Sequence, residues 1–360
     1  MRPVIVTGLL VVHDGAAWLD ECLDALGLQT RPLDRLVIVD TGSIDGSREI
    51  AAAHERIRQV IGDVQTITAP RACTFGDAVG RAVDQLLARS VWSVGAVASD
   101  PSLSKSLSEP SQGEWLWLLH DDSAADPGAL DHLLDAARRS PSVGVAGPKL
   151  TTWDDPSRLL QVGQQVTRAG GRAGGPATGE PDQGQHDHRG DVLSVNTSGM
   201  LIRREVLDSL GGFDRTLGQF GDGLDLCWRA HLAGHRVVVV PRARMREAAA
   251  SANGTRSTGF SADAASGRQG VITDPRSPSS SQARRGCLTA SRTAAETRLA
   301  EAIQSARKGT AYGELLASAT WRPWRRSRRL AAAAEKPVER APLAEAAASR
   351  MRALGTTTTR

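Results

Sequence analysis

No apolar run in the 360 residues approaches the roughly 18 that a membrane-spanning helix needs, and the apolar runs present are short pieces such as VVVV at 237–240. No spanning helix is therefore expected. Cysteine is equally scarce. Cys22, Cys73, Cys227 and Cys287 lie far apart without a CxxC pair, which argues against a zinc ribbon and against a disulfide framework. Buried small hydrophobes are the expectation for them. The opening MRPVIVTGLLVVHDG places one Arg before a short apolar run, but no small-residue cleavage site follows. It reads as a strand and not as a secretory signal, so a cytoplasmic location is expected. Neither GxGxxG nor GxxxxGK[ST] occurs, which removes the dinucleotide fingerprint and the P-loop.

What is present divides unevenly. The formal charge of +4 conceals a body, residues 1–250, with 25 basic and 32 acidic residues (net −7) and a tail, 251–360, with 19 and 8 (net +11). The body has room for one large domain with ample core. VIVTGLLVV at 4–12 and LVIVD at 36–40 are β-branched-rich runs ending at polar turns, as buried parallel strands do. Between them Trp18, Leu19, Cys22, Leu23 and Leu26 form one helical stripe, with Asp14 as its cap. A helix from Ser47, a third strand at 64–67, a helix at 76–89 and the strand WLWLL at 115–119 continue the alternation. The class this predicts is α/β with a mainly parallel central sheet flanked by helices. Asp126 is expected to cap a helix with Pro127 at its first position. Residues 97–113 read as a surface insertion and 150–192 as loop. A strand entering a short helix at 198–214, a helix at 223–234 and the strand RVVVVP complete the domain. Beyond it, 251–290 reads as a disordered linker and 291–360 as a basic, Ala/Arg-rich helical or disordered tail.

Three acidic clusters are candidates for chemistry. HDDS at 120–123 stands at the carboxyl end of a buried strand, where open α/β sheets collect ligands, and two adjacent carboxylates there suit a divalent cation shared with phosphates. Taken alone, Asp121 and Asp122 are equally well explained as turn residues. Asp40, in VDTGSIDGS, could accept hydrogen bonds from a base or a ribose hydroxyl. Asp45 is better read as a helix cap. Asp222 and Asp225 share a helix face near its start, where one could act as a general base. The alternative is a dipole interaction for Asp222 and an ion pair between Asp225 and Arg229.

The order of these clusters carries more than any one of them. A strand and HDG, then VDTGSIDGS, then HDDS, then SGMLIRREVLDSLGGFD and DGLDLCWRAHLAGHRVVVVP resembles the family 2 glycosyltransferases of GT-A fold, over residues 4 to about 245. The resemblance implies a nucleoside-diphosphate sugar held by Val12, His13, Asp14 and Asp40, with Arg71 and the Phe75-Gly76 turn closing over the base. It places Asp121 against ribose or sugar. Ser198, Gly199 and Met200 become the floor beneath donor and acceptor. Asp122 would ligate Mg²⁺ or Mn²⁺, and Glu247 stands near the place where the family often has a metal-binding His. The family's acidic pair reads Asp222-Gly223 here, which leaves the catalytic base open between Asp222, preferred, and Asp225. The activity implied is inverting, metal-dependent sugar transfer to a cell-envelope polysaccharide or lipid-linked acceptor. A scaffold of the same fold that has lost catalysis is the alternative. His186 and His188 sit in a Gly-rich polar loop and read as surface, and Trp153 as a candidate for acceptor stacking. In the tail, WRPWRRSRRL at 321–330 sets two Trp beside five Arg, a composition suited to an anionic membrane surface and a peripheral placement at the inner face of the plasma membrane. No nucleic-acid module precedes it, so no nucleic-acid partner is expected.

Overall fold

The computed structural model describes residues 4–96, 113–166, 172–173, 175–177, 179–214, 221–253 and 255. Nearly all of the expected insertion at 97–113 and of the linker and tail, 251–290 and 291–360, lies outside the described residues.

Strands β1 (Ile5–Val12), β2 (Arg35–Asp40), β3 (Asp63–Thr68) and β4 (Glu114–His120) form the amino-terminal half of one sheet. All three pairings in this half are parallel, in the order β3-β2-β1-β4. Helix α1 (Leu19–Gly27) follows β1, then α2 (Ser47–Ala53) and α3 (Glu55–Val60) follow β2, and α4 (Phe75–Ala96) follows β3. The register sets Val12 beside Asp40 and Val11 beside His120, so the polar ends of three strands come out together. Helix α1 forms because Leu19, Cys22, Leu23 and Leu26 recur at helical spacing, and all four are buried against the sheet. Its cap differs from the expectation. The helix begins after Trp18 without a side-chain cap, and Asp14 instead lies four residues earlier with φ +49°.

The carboxyl-terminal half is mixed. After β5 (Ser123–Ala125) come α5 (Ala129–Arg138), β6 (Val143–Thr152), β7 (Leu159–Gln161), β8 (Gln165–Val166), β9 (Arg172–Ala173), β10 (Leu201–Arg203), α6 (Arg204–Ser209), α7 (Asp222–Leu232), β11 (Arg236–Glu247) and α8 (Ala250–Asn253). The sheet continues β4-β10-β6-β11-β5, with β10 antiparallel to both neighbours, β11 parallel to β6, and β7 on the free side of β6. Residues 150–192, read from sequence as loop, thus contribute three short strands. They escape a periodicity argument because two or three residues show no period. The helix expected at Asp126-Pro127 starts later, after Gly128, and Asp126 serves it through its backbone carbonyl, which accepts the Ala129 N–H. The strand foreseen as RVVVVP runs on to Glu247 through an irregularity, since Val240 pairs with Pro148 but Arg244 with Lys149.

Two apolar layers sandwich the sheet. One joins α1 and α5 to one face through Leu10, Leu19, Leu23, Trp117, Leu130 and Leu134. The other joins α4, α6 and α7 to the opposite face through Leu9, Val37, Ala78, Leu118, Val206 and Leu226. Trp115 and Trp117 are core residues, and Trp117 is tied down by its indole N–H, which donates to the Gly199 carbonyl at 3.1 Å. Cys22 and Cys227 are buried as expected. Among the described residues no helix is long and apolar enough to cross a membrane. An ionic knot fastens residues 182–187 to β6. Lys149 donates to both carboxylate oxygens of Asp182 at 3.0 Å and pairs with Asp187, while Arg244 reaches Asp182 at 3.1 Å.

Candidate active site

The carboxyl ends of β1, β2 and β4 meet the end of β11, and every acidic residue singled out from sequence except Asp222 and Asp225 collects there. At the first of these ends the Val12 carbonyl accepts both the backbone N–H and the hydroxyl of Thr41, at 2.8 and 2.9 Å. The His13 imidazole bonds Thr41 Oγ1 through Nδ1 at 2.8 Å and leaves Nε2 buried without a partner. Asp14 accepts the Ile44 N–H at 2.9 Å and is gripped by both terminal nitrogens of Arg71, which also donates to the Gly42 carbonyl. That guanidinium holds the Asp14 carboxyl below the usual carboxylate range. Asp40, nearly inaccessible, accepts the Ser43 N–H and pairs with Arg48. The structure therefore brings together Val12, His13, Asp14, Asp40 and Arg71 around the two turns after β1 and β2. Asp45 does lie at the start of α2, accepting the Ser47 N–H, and its other oxygen accepts the Ala16 N–H.

Asp121 and Asp122 part company. One oxygen of Asp121 accepts the His13 N–H at 2.8 Å, and a Cβ at Gly15 would collide with that same oxygen. Asp121 thereby ties the loop after β1 to the end of β4. Asp122 is held from the other side, its Oδ2 accepting the Ala250 N–H at 2.8 Å and its carbonyl the Ala248 N–H. Across from it stands Glu247, and ligand atoms of His120, Asp122 and Glu247 all lie within 4.8 Å of one another. Burial, and the charge of Asp122 beside it, push the Glu247 carboxyl well above its usual range. Two carboxylates buried side by side with an imidazole nitrogen facing them form a donor set that a divalent cation fits, because the cation relieves the like-charge repulsion. The sequence had pointed to Asp122 and Glu247 for a cation and had not named His120 as a donor; the structure sets all three together. The signal available was that His120 ends β4 with its backbone beside Val11, at the mouth of the site.

The segment expected to form a floor enters β10. Ser198, Gly199 and Met200 are buried, with Gly199 at φ +85°. Only glycine fits there. A Cβ would strike Met245 and would stand 2.7 Å from Pro148 Cγ. Asp222, the first residue of α7, is 7% exposed, and its Oδ2 has no partner while Oδ1 accepts the Gly223 N–H. Burial pushes this carboxyl up to about 7. Asp225 is different. It forms the ion pair with Arg229 that its spacing suggested, at 2.6 Å, although burial still raises its pKa.

A family model described as glycosyltransferase-like family 2 matches residues 11–265. The chain belongs to this family. This family 2 glycosyltransferase is 27% identical over 244 residues to an N-acetylglucosaminyl-diphospho-decaprenol L-rhamnosyltransferase of Mycobacterium tuberculosis, a match covering 65% of the chain and 73% of that protein. It is 26% identical over 229 residues to the galactofuranosyltransferase GlfT1 of Mycolicibacterium smegmatis, covering 62% and 64% of the two chains. Among solved structures, the mannosyltransferase PcManGT of Pyrobaculum calidifontis in complex with GDP-Man and Mn²⁺ overlaps 93% of this chain and 87% of its own, at 19% identity and a TM-score of 0.45.

In this glycosyltransferase the place of the second acid before the α7 core is filled. A Cβ at Gly223 would stand 2.8 Å from the methyl of Thr197, so that methyl occupies the room a side chain would need. His186 pairs with Glu180 at 3.0 Å and His188 is exposed, and neither belongs to the cluster of His120, Asp122 and Glu247. Trp153 lies under the guanidinium of Arg246 at 5.0 Å.

Proposed function

We propose that this glycosyltransferase moves a sugar, with inversion, from a nucleoside diphosphate to a hydroxyl of a cell-envelope polysaccharide or lipid-linked acceptor. Asp222 is the catalytic base in this reading. The observation that carries it is the contrast between the two candidates. Asp222 keeps one buried oxygen free and a pKa of about 7, whereas Asp225 spends its carboxylate on Arg229. A base poised near neutrality both accepts a proton readily and is ionised often enough to act. It removes the acceptor's proton as that oxygen attacks the anomeric carbon on the face opposite the departing diphosphate.

Val12, His13, Asp14, Asp40 and Arg71 hold and orient the nucleotide, and Ser198, Gly199 and Met200 support the sugar. Asp121 acts through the His13 backbone, keeping the nucleotide loop in register with β4. His120, Asp122 and Glu247 hold Mg²⁺ or Mn²⁺, which supplies positive charge to the leaving diphosphate. The acceptor class follows from the names of the mycobacterial relatives, one of which works on a decaprenol-linked sugar. A thermal-shift panel of nucleoside diphosphates and their sugars, with and without Mn²⁺, tests the donor side. One nucleotide raising Tm only with metal is the expected result, and indifference to every nucleotide would sink the reading.

A further inference from the structure

The cation triad is supported by a segment that no motif marks. Residues 196–198 run back along the end of β4, fixed by the Gly199 N–H to the Leu118 carbonyl at 2.9 Å and the Leu118 N–H to the Met200 carbonyl at 2.8 Å. That pairing sets Thr197 against His120, whose Nε2 meets Thr197 Oγ1 at 3.0 Å. The other ring nitrogen, Nδ1, faces Glu247 Oε1 at 3.6 Å. The neighbouring Asn196 spans a second gap. Its Nδ2 reaches Glu247 Oε2 at 3.4 Å and Gln161 Oε1 at 3.2 Å, and its Oδ1 accepts the Ser198 N–H at 3.0 Å. Two consecutive side chains thus touch two of the three cation donors, and the same asparagine braces the sugar floor.

We propose that Thr197 and Asn196 are positioning residues for the cation site: Thr197 accepts the His120 Nε2–H, so that Nδ1 turns its lone pair toward Asp122 and Glu247, and Asn196 aims the Glu247 carboxylate. A neutral imidazole carries one N–H, and the hydrogen bond that N–H makes decides which nitrogen is left to bind a cation. The Thr197 methyl lies beside Gly223, where a Cβ would stand 2.8 Å from it, and the hydroxyl is the group that meets His120. The proposal rests on reading His120, Asp122 and Glu247 as a cation site.

Mn²⁺ alone is the probe, its free fraction followed by electron paramagnetic resonance on the full chain. Thr197→Val keeps the packing and removes the acceptor, and is expected to weaken Mn²⁺ binding 10- to 100-fold, as losses of such supporting partners do. Thr197→Ser restores binding to within about threefold, because the oxygen returns. Asn196→Ala is expected to weaken it in the same sense. Melting temperatures of all variants without metal serve as the check on folding, and the Val and Ser forms should match there while differing in affinity. If Thr197→Val binds Mn²⁺ as the parent does while Asp122→Asn loses it, the positioning role is wrong and the cation site stands. If the parent binds no Mn²⁺, the cation reading fails and this inference fails with it.

Discussion

Replacing Asp222 by Asn should make the protein's stability less dependent on pH while removing its activity. The carboxyl is buried and its pKa is displaced from 3.8 to about 7. At about 1.36 kcal/mol per pKa unit, ionising it inside the folded protein costs roughly 4 kcal/mol. Between those two pH values the folded protein keeps a proton that the unfolded chain has already released. Stability from this group is therefore full below about pH 4 and is lost as pH rises through 7. Asn has no such titration. It introduces an amide N–H₂ where Oδ2 has no partner, a constant penalty of about 1–3 kcal/mol. The variant should thus be the weaker protein at pH 4.5, and the gap should close or reverse by pH 8. The relative change across that range should be about 3 kcal/mol, because the unfolded chain has already released part of the proton by pH 4.5. Urea denaturation of both proteins at pH 4.5, 6 and 8 measures it, and other titrating groups cancel in the difference. Transfer by the variant should fall 10²- to 10⁴-fold, the usual contribution of a general base. A stability difference that does not move with pH would refute the burial argument. Retained turnover would remove Asp222 from the mechanism.

Three further outcomes follow from contacts at the site and beneath it. Asp122→Asn should abolish the Mn²⁺-dependent part of any thermal shift while leaving the metal-free Tm within a few degrees, and an unchanged shift would take Asp122 out of the cation site. Gly199→Ala should cost about 2–3 kcal/mol in chemical denaturation, since it combines φ +85° with a collision against Met245 and Pro148, and a neutral result would mean that the floor can move. Lys149→Met should cost about 3 kcal/mol, because it strips a buried cation from Asp182 and leaves only Arg244 to balance it; parent-like urea stability would refute that.

The amino-terminal half was legible in the sequence because its strands are buried on both faces and its helices are amphipathic, so VIVTGLLVV, LVIVD and WLWLL announce themselves. The acidic strand ends Asp40 and Asp122 followed from those strands. In the other half the longer helices and strands were legible in the same way, and the short strands were not. Its short strands β7, β8 and β9 are held by neighbours and not by their own pattern, and the Lys149 knot that anchors them joins residues 33 apart in sequence. The choice between Asp222 and Asp225 could not be made from spacing, because both stand in the first turn of α7 and only burial and Arg229 separate them. His120 was hidden by the opposite problem. It lay in the segment already assigned, but its closeness to Glu247 depends on β11 reaching beyond RVVVVP.

That extension has a consequence of its own. Three residues of β11, Pro241 to Ala243, stand opposite nothing on β6. An odd insertion inverts the parity of a strand, and the inversion can be seen in the core, where Val238 before it and Met245 after it pack in the same apolar layer. Glu247 shares the parity of Met245. A bulge one residue shorter or longer would offer the neighbouring position instead, and on one side that neighbour is Arg246. The length of this small bulge, more than the identity of any residue in it, thus sets whether a negative or a positive side chain stands beside His120 and Asp122. Insertions and deletions here act as frameshifts in three dimensions, changing which charge stands beside His120 and Asp122 while sparing the apolar strand before it.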